Sequence, residues 1–193
     1  MANSLLFCGI ALLTMVSVSS LRSGGGDPRP DIDKVPEFAR WLVRRAKFGT
    51  LAIVQMVEVP EPFGYIASYS DGGTGSPYFY LSSLDPAGAY ASTNTALACL
   101  TISEVFINGC GGVDPQSPGC AKVALTGRLR MLPGDSDEGG MAEGALFRDH
   151  PAFARFPRQN GTFAVYKLDI ERIFLVNKAA PARDLTVDDY FDA

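Results

Sequence analysis

Relay chemistry in this sequence would have to run through a single imidazole. His150 is the only histidine among the 193 residues, so a Ser–His or Cys–His pair has no other base to use. Asp149 precedes it directly, but consecutive residues do not orient one another as a triad requires. The simpler reading is that His150 ends a helix or fills a polar niche, and no residue is assigned a catalytic role. The carboxylates are scattered. Their densest groups, Asp135/Asp137/Glu138 and Asp188/Asp189, fall in loop and tail sequence, where solvated charge accounts for them better than paired acid–base catalysis. Zinc takes about four ligands with close pair spacing, and neither a C-x-x-C pair nor a second histidine is present, so no metal site is expected. The segment SDGGTGSP at 70–77 carries three glycines, yet a phosphate-binding nest normally opens a helix. Strand-like sequence flanks this one, which predicts a flexible hairpin loop. No P-loop, G-x-S-x-G elbow or dinucleotide fingerprint occurs.

Four cysteines and one sequon carry the remaining covalent chemistry. The apolar run Leu5–Val18 is too short to span a bilayer, which takes about 20 residues, and reads as the core of a secretory signal peptide ending at residue 20. Cys8 leaves with it. In an oxidising compartment, Cys110 and Cys120 flank the turn-rich GGVDPQSPG and are expected to form a disulfide. Cys99, inside the apolar ALACLTIS, reads as a buried free thiol. Asn160-Gly161-Thr162 is an open N-x-T sequon, expected to carry a glycan on a turn before the last strand.

The elements that must hold these residues follow from patterning. The chain has 17 Lys+Arg against 21 Asp+Glu, a net charge of −4 and a pI near 5.0. That balance excludes a nucleic-acid-binding face and a polybasic membrane surface. Residues 21–30 are Gly- and Pro-rich and predict a flexible leader, followed by one domain over 31–193. Asp33 opens a helix with Pro36 in its first turn. Val35, Phe38, Ala39, Leu42 and Ala46 form its apolar stripe, and Arg40, Arg44, Arg45 and Lys47 fall largely off it. Strands are predicted over 50–57, 65–69, 78–81, 96–104, 121–132 and 163–176, with a short helical or irregular piece over 84–95. Within 121–132, Leu125, Gly127, Leu129 and Met131 alternate with Thr126, Arg128 and Arg130. A helix-prone stretch from Asp137 stops at His150-Pro151, and Thr186 caps a last helical turn. About six strands in antiparallel order with few helices predict a barrel rather than a doubly wound sheet.

Longer segments go further. PEFARWLVRRAKFGTLA, SDGGTGSPYFYLSSL, DPQSPGC, LFRDHPAFARFP, KLDIERIFLV and DDYF together resemble the CREG family (cellular repressor of adenoviral early-gene-stimulated genes), from about Pro30 to the C-terminus. The resemblance implies an α+β, mainly antiparallel split β-barrel of the pyridoxine-phosphate-oxidase-like, FMN-binding type, with peripheral helices and a homodimeric assembly. It implies a secreted or endolysosomal, non-catalytic glycoprotein that restrains growth and promotes differentiation through protein partners. The mannose-6-phosphate/insulin-like growth factor II receptor is the implied glycan-dependent partner. Family members are similar to flavoenzymes but regarded as lacking flavin, because inserted residues fill the pocket, so no cofactor is expected. The alternative is a working FMN oxidoreductase. For that reading Lys47, Thr50, Ser68 and Ser82, near strand ends, are the candidate phosphate donors. The dimer is expected to bury apolar outer strand faces such as Tyr78-Phe79-Tyr80-Leu81.

Overall fold

A computed structural model describes residues 27–55, 60–93, 96–156, 162–178 and 180–193. The signal segment, most of the leader and Asn160 lie outside the described residues. Helix α1 (Val35–Arg45) precedes strands β1 (Phe48–Gln55), β2 (Glu61–Ser70) and β3 (Tyr78–Ser82), then α2 (Pro86–Thr93) and β4 (Ala96–Ser103). A 3-10 turn (Glu104–Ile107) follows, then β5 (Lys122–Met131), α3 (Asp137–Asp149), a second 3-10 turn (Pro151–Arg155), β6 (Phe163–Asn177), β7 (Ala180–Leu185) and α4 (Val187–Phe191).

All strand pairings are antiparallel, in the order β3-β2-β1-β4-β5-β6-β7, and β3 also pairs with β6. That extra pairing closes a ring of six strands. β6 is long enough to serve two neighbours on one side: Phe163–Lys167 pair with β3, and residues 173–177 pair with β7. The ring therefore splits where β6 leaves β3, which is the split barrel that the resemblance to the CREG family implies. β7 had no signal of its own in the pattern; it forms because the far half of β6 leaves an edge to be covered.

The main core lies inside this ring. The whole predicted stripe of α1 is buried, with Val43 added, and contributes roughly 1.5–3 kcal/mol for each large side chain removed from water. Arg40 departs from the sequence expectation. It is only 9% exposed, donates from Nη1 to the Thr74 carbonyl at 2.7 Å, and lies over the Tyr190 ring at 5.3 Å. The glycine-rich loop is consequently not a free hairpin. Arg40 holds Thr74, and Tyr190 of α4 donates to the Gly75 carbonyl at 2.8 Å. Gly75 has φ +89°, and a Cβ there would collide with the Arg40 guanidinium.

β3 corrects a second expectation. Tyr78, Phe79, Tyr80 and Leu81 are all buried within the subunit. Phe79 and Leu81 face the main core, while Tyr78 and Tyr80 face a second apolar cluster with Leu132, Ala142, Leu146, Phe153 and Val165. α3 and the turn after it cover that outer side, so this strand offers no surface to a partner.

Cys110 and Cys120 are bonded, with Cα atoms 4.6 Å apart, as expected. Cys99 is free but only half-buried. In β4, Ala96, Ala98, Leu100 and Ile102 take the inward positions, leaving Cys99 on the outer face with Leu97 and Thr101. Met131 is 46% exposed although its parity in β5 points inward, because the strand runs past the core at that end. Asp27–Pro30, assigned to a flexible leader, are tied to the domain. Trp41 Nε1 donates to the Asp27 carbonyl at 3.2 Å, and Arg29 reaches the fully buried Glu104 at 2.7 Å.

The β5–β6 register shifts between Thr126 and Gly127. A Cβ on Gly127 would strike the Asp169 carbonyl, whereas one on Gly144 of α3 meets nothing within 4 Å. Gly127→Ala is therefore expected to cost about 2 kcal/mol or more through overpacking. Gly144→Ala should stabilise by about 0.5–1 kcal/mol through helix propensity. Urea unfolding of both variants checks the opposite signs; equal effects would contradict the packing described for the bulge.

Candidate functional site

The four residues proposed for phosphate binding do not converge. Lys47 sits in the turn between α1 and β1, and its ammonium lies 3.0 Å from Asp149 Oδ2. The same oxygen accepts a hydrogen bond from the buried Ser70 hydroxyl at 2.6 Å. Ser70 in turn accepts from the Gly72 amide at 3.2 Å, which ties the glycine loop to the site. Thr50 is on the outer sheet face, paired across with Ile66 and Thr101. Ser68 shares that face beside Phe48. Ser82 closes the turn into α2: its amide donates to Asp85 at 3.3 Å and its hydroxyl accepts from the Leu84 amide at 3.1 Å. Thr50 and Ser68 thus share a face, while Lys47 and Ser82 are committed elsewhere.

Lys47–Asp149–Ser70 is the densest polar junction near the proposed residues, and Asp149 was noted in the sequence only as a neighbour of His150. α3 delivers it. Ser136 caps the helix through the Gly139 amide at 3.0 Å, and the helix ends at Asp149 because Pro151 follows His150. His150 then does what its position predicts. Its backbone N–H closes the last turn on the Leu146 carbonyl at 2.8 Å, its Nε2 lies 2.9 Å from the Tyr69 carbonyl, and its ring stacks on Phe153 at 5.0 Å. A stacked, hydrogen-bonded histidine at a helix end is a positioning group for the Asp149 carboxylate, one residue back.

Flavin phosphate needs cations and hydroxyls aimed at one point. Here the one cation of the proposed set faces a carboxylate, and that carboxylate already takes the hydroxyl of Ser70. This donor set does not fit a phosphate. Among the described residues no group of three or more His, Cys, Asp or Glu side chains is arranged to hold a metal ion. No described helix is long and apolar enough to cross a membrane.

Burial opposes ionisation of Asp149, but the Ser70 hydroxyl, the Lys47 ammonium and the Arg148 charge outweigh it and hold the carboxyl below its ordinary value. Burial pushes the phenols of Tyr69 and Tyr190 well upward, so both remain neutral donors to backbone carbonyls. A carboxyl lowered by folding contributes stability that is fully present above its unfolded value, near about 4, and lost as pH falls through the lower folded value. Asp149→Asn should thus cost no more than about 1 kcal/mol near neutrality, since Lys47 is over a third exposed and screened. The difference from the parent should shrink as pH falls below about 4 and vanish only below the lowered folded value. Urea midpoints at neutral and acid pH test this; a difference that persists in acid would contradict it.

Residues 30–192 match the family model described as CREG, beta-barrel. CREG2 of Mus musculus is 34% identical over 178 residues, covering 89% of this chain and 61% of that protein, so the chain spans less than two thirds of that relative. CREG1 of Mus musculus is 32% identical over 173 residues, covering 86% of this chain and 77% of that protein. Among solved structures, a heme binding protein from Mycobacterium smegmatis superposes with a TM-score of 0.67 at 22% identity, covering 86% of this chain and 62% of that one. The last likeness is one of fold.

Proposed function

This chain belongs to the CREG family, and from that membership we propose a secreted or endolysosomal, homodimeric glycoprotein that is not an enzyme and acts through protein partners on growth and differentiation. The observation that carries the non-catalytic part is the Lys47–Asp149–Ser70 junction: an internal carboxylate stands against the cation that a flavin phosphate would need. The FMN oxidoreductase alternative would require Asp149 to leave Lys47 and Ser70 together. The heme-binding function named for the mycobacterial structure would require an axial ligand, and the single histidine already has its Nε2 against the Tyr69 carbonyl. The proposed receptor contact, through a glycan on Asn160, belongs to the mannose-6-phosphate/insulin-like growth factor II type.

The proposed dimer surface moves from β3 to the outer face of the central strands. One cross-strand row there reads Ile66, Thr50, Thr101, Ala124 and Phe174 over five strands. Ile66 is 58% exposed, and Phe174, Leu97 and Phe48 are exposed with it. Cys99 lies in the next row, between Ala52 and Thr126. An apolar face of small and branched residues suits packing against its own copy around a two-fold axis, with an obligate interface above about 2,000 Å² in total.

Expression in a secretory eukaryotic host tests the reading as a whole. The medium should yield a colourless dimer by light scattering, whose subunit mass drops on glycosidase treatment and in Asn160→Gln. Stoichiometric flavin or haem absorbance would overturn the non-catalytic part, and an unchanged mass would remove the glycan-dependent receptor.

The dimer face has its own variant. Ile66→Arg should give a folded monomer in which Cys99 is alkylated faster than in the parent dimer. A dimer retained in Ile66→Arg, with unchanged Cys99 reactivity, would place the interface elsewhere.

A further inference from the structure

A cavity lies away from the Lys47 junction, between α3, the turn from β5 into α3, and the ends of β3 and β6. Its volume is about 390 Å³, within the usual range for small-molecule sites of roughly 300–1,000 Å³. Tyr80, Met131, Leu132, Phe163 and Val165 make apolar walls, and Glu143 is the one charged side chain that lines it. Tyr80 and Phe163 stack at 5.1 Å with their planes 19° apart, making one rigid wall.

The charges around this cavity have one sign left over. Glu143 is half-buried and forms no hydrogen bond or ion pair among the described residues. Among the described residues, the two cations on the adjoining strands are engaged. Arg130 pairs with Asp169 at 2.8 Å, and Lys167 pairs with Glu138 at 2.7 Å. Asp135 stands exposed in the turn leading to α3 and Asp137 at the helix's first position. At the start of α3 the Ser136 hydroxyl accepts from the Gly139 amide and the Ser136 carbonyl from the Gly140 amide.

We propose that this cavity is a binding site for a small organic cation, an aromatic or branched apolar body carrying a protonated amine. The apolar body lies against Tyr80, Phe163 and Leu132. The ammonium donates to the Glu143 carboxylate, a charge-assisted bond in a site that water only partly reaches. A carboxylate ligand of the same shape meets Glu143 with like charge and is rejected. The site is independent of the flavin question, because neither Lys47 nor Asp149 lines it.

Calorimetric titration of the full chain with three probes of one shape tests this: tryptamine, its neutral alcohol analogue and indole-3-acetate. Tryptamine should bind saturably, the alcohol about tenfold more weakly or worse, and the acid not at all. Glu143→Gln, on a partly exposed helix position that Gln tolerates well, should lower tryptamine affinity about tenfold and leave the alcohol unchanged. Glu143→Asp should retain the preference for the amine. Thermal melts of both variants establish that they fold. No saturable heat with tryptamine, equal binding of the three probes, or an unchanged amine affinity in Glu143→Gln would each overturn the proposal.

Discussion

Strand β3 has five residues and two neighbours, and the architecture depends on its being covered from both sides. Its pairing with β2 is brief, Tyr69 with Phe79 and Ser70 with Tyr78, while its pairing with β6 runs its whole length. Together these close the ring. A strand in that position with Tyr78, Phe79, Tyr80 and Leu81 in succession has large side chains on both faces. The inner pair fills the main core. The outer pair would stand in water unless something lay across them, and burying an aromatic side chain removes 150–250 Å² of surface.

α3 and the turn that follows are that cover. Ala142 and Leu146 pack against Tyr78 and Tyr80, and Phe147, Phe153 and Phe163 surround the Tyr80 ring at 5.1–5.7 Å. Once α3 lies across β3, its last residue falls beside the start of β1. Asp149 meets Lys47 and Ser70 there, and His150 pins the helix end to the Tyr69 carbonyl. The chemistry of the junction is thus a consequence of the packing. The helix that completes the apolar cover of β3 also brings a carboxylate to the Lys47 ammonium. The same cover leaves an aromatic-walled cavity at its other end, beside Glu143.

Local patterns read well from the sequence where one element settles its own fate. The α1 stripe, the alternation in β5, the stop at His150-Pro151 and the Thr186 cap all follow from neighbours within one or two turns. Readings that depended on distant residues went astray. Tyr78–Leu81 looked like an outward face because nothing in those four residues announces α3. Arg40 looked solvated because its partners, Thr74 and Tyr190, are 34 and 150 positions away. Cys99 differs for a local reason: its apolar neighbourhood suggests burial, but alternation with Ala98 and Leu100 puts it on the outer face. The phosphate candidates were chosen as polar residues near strand ends, but whether such a group is free depends on what packs against it. Asp149, which decides the matter for Lys47, lies 102 residues from it.

The account stands on the claim that the Lys47 ammonium is held by Asp149 and Ser70 and is not offered to a phosphate. Titration of FMN into the protein, followed by quenching of flavin fluorescence, addresses it directly. The account predicts no saturable quenching. Saturable quenching at one flavin per subunit, lost in Lys47→Met, would mean that the phosphate displaces Asp149 and that the junction described here is not the resting state of the site.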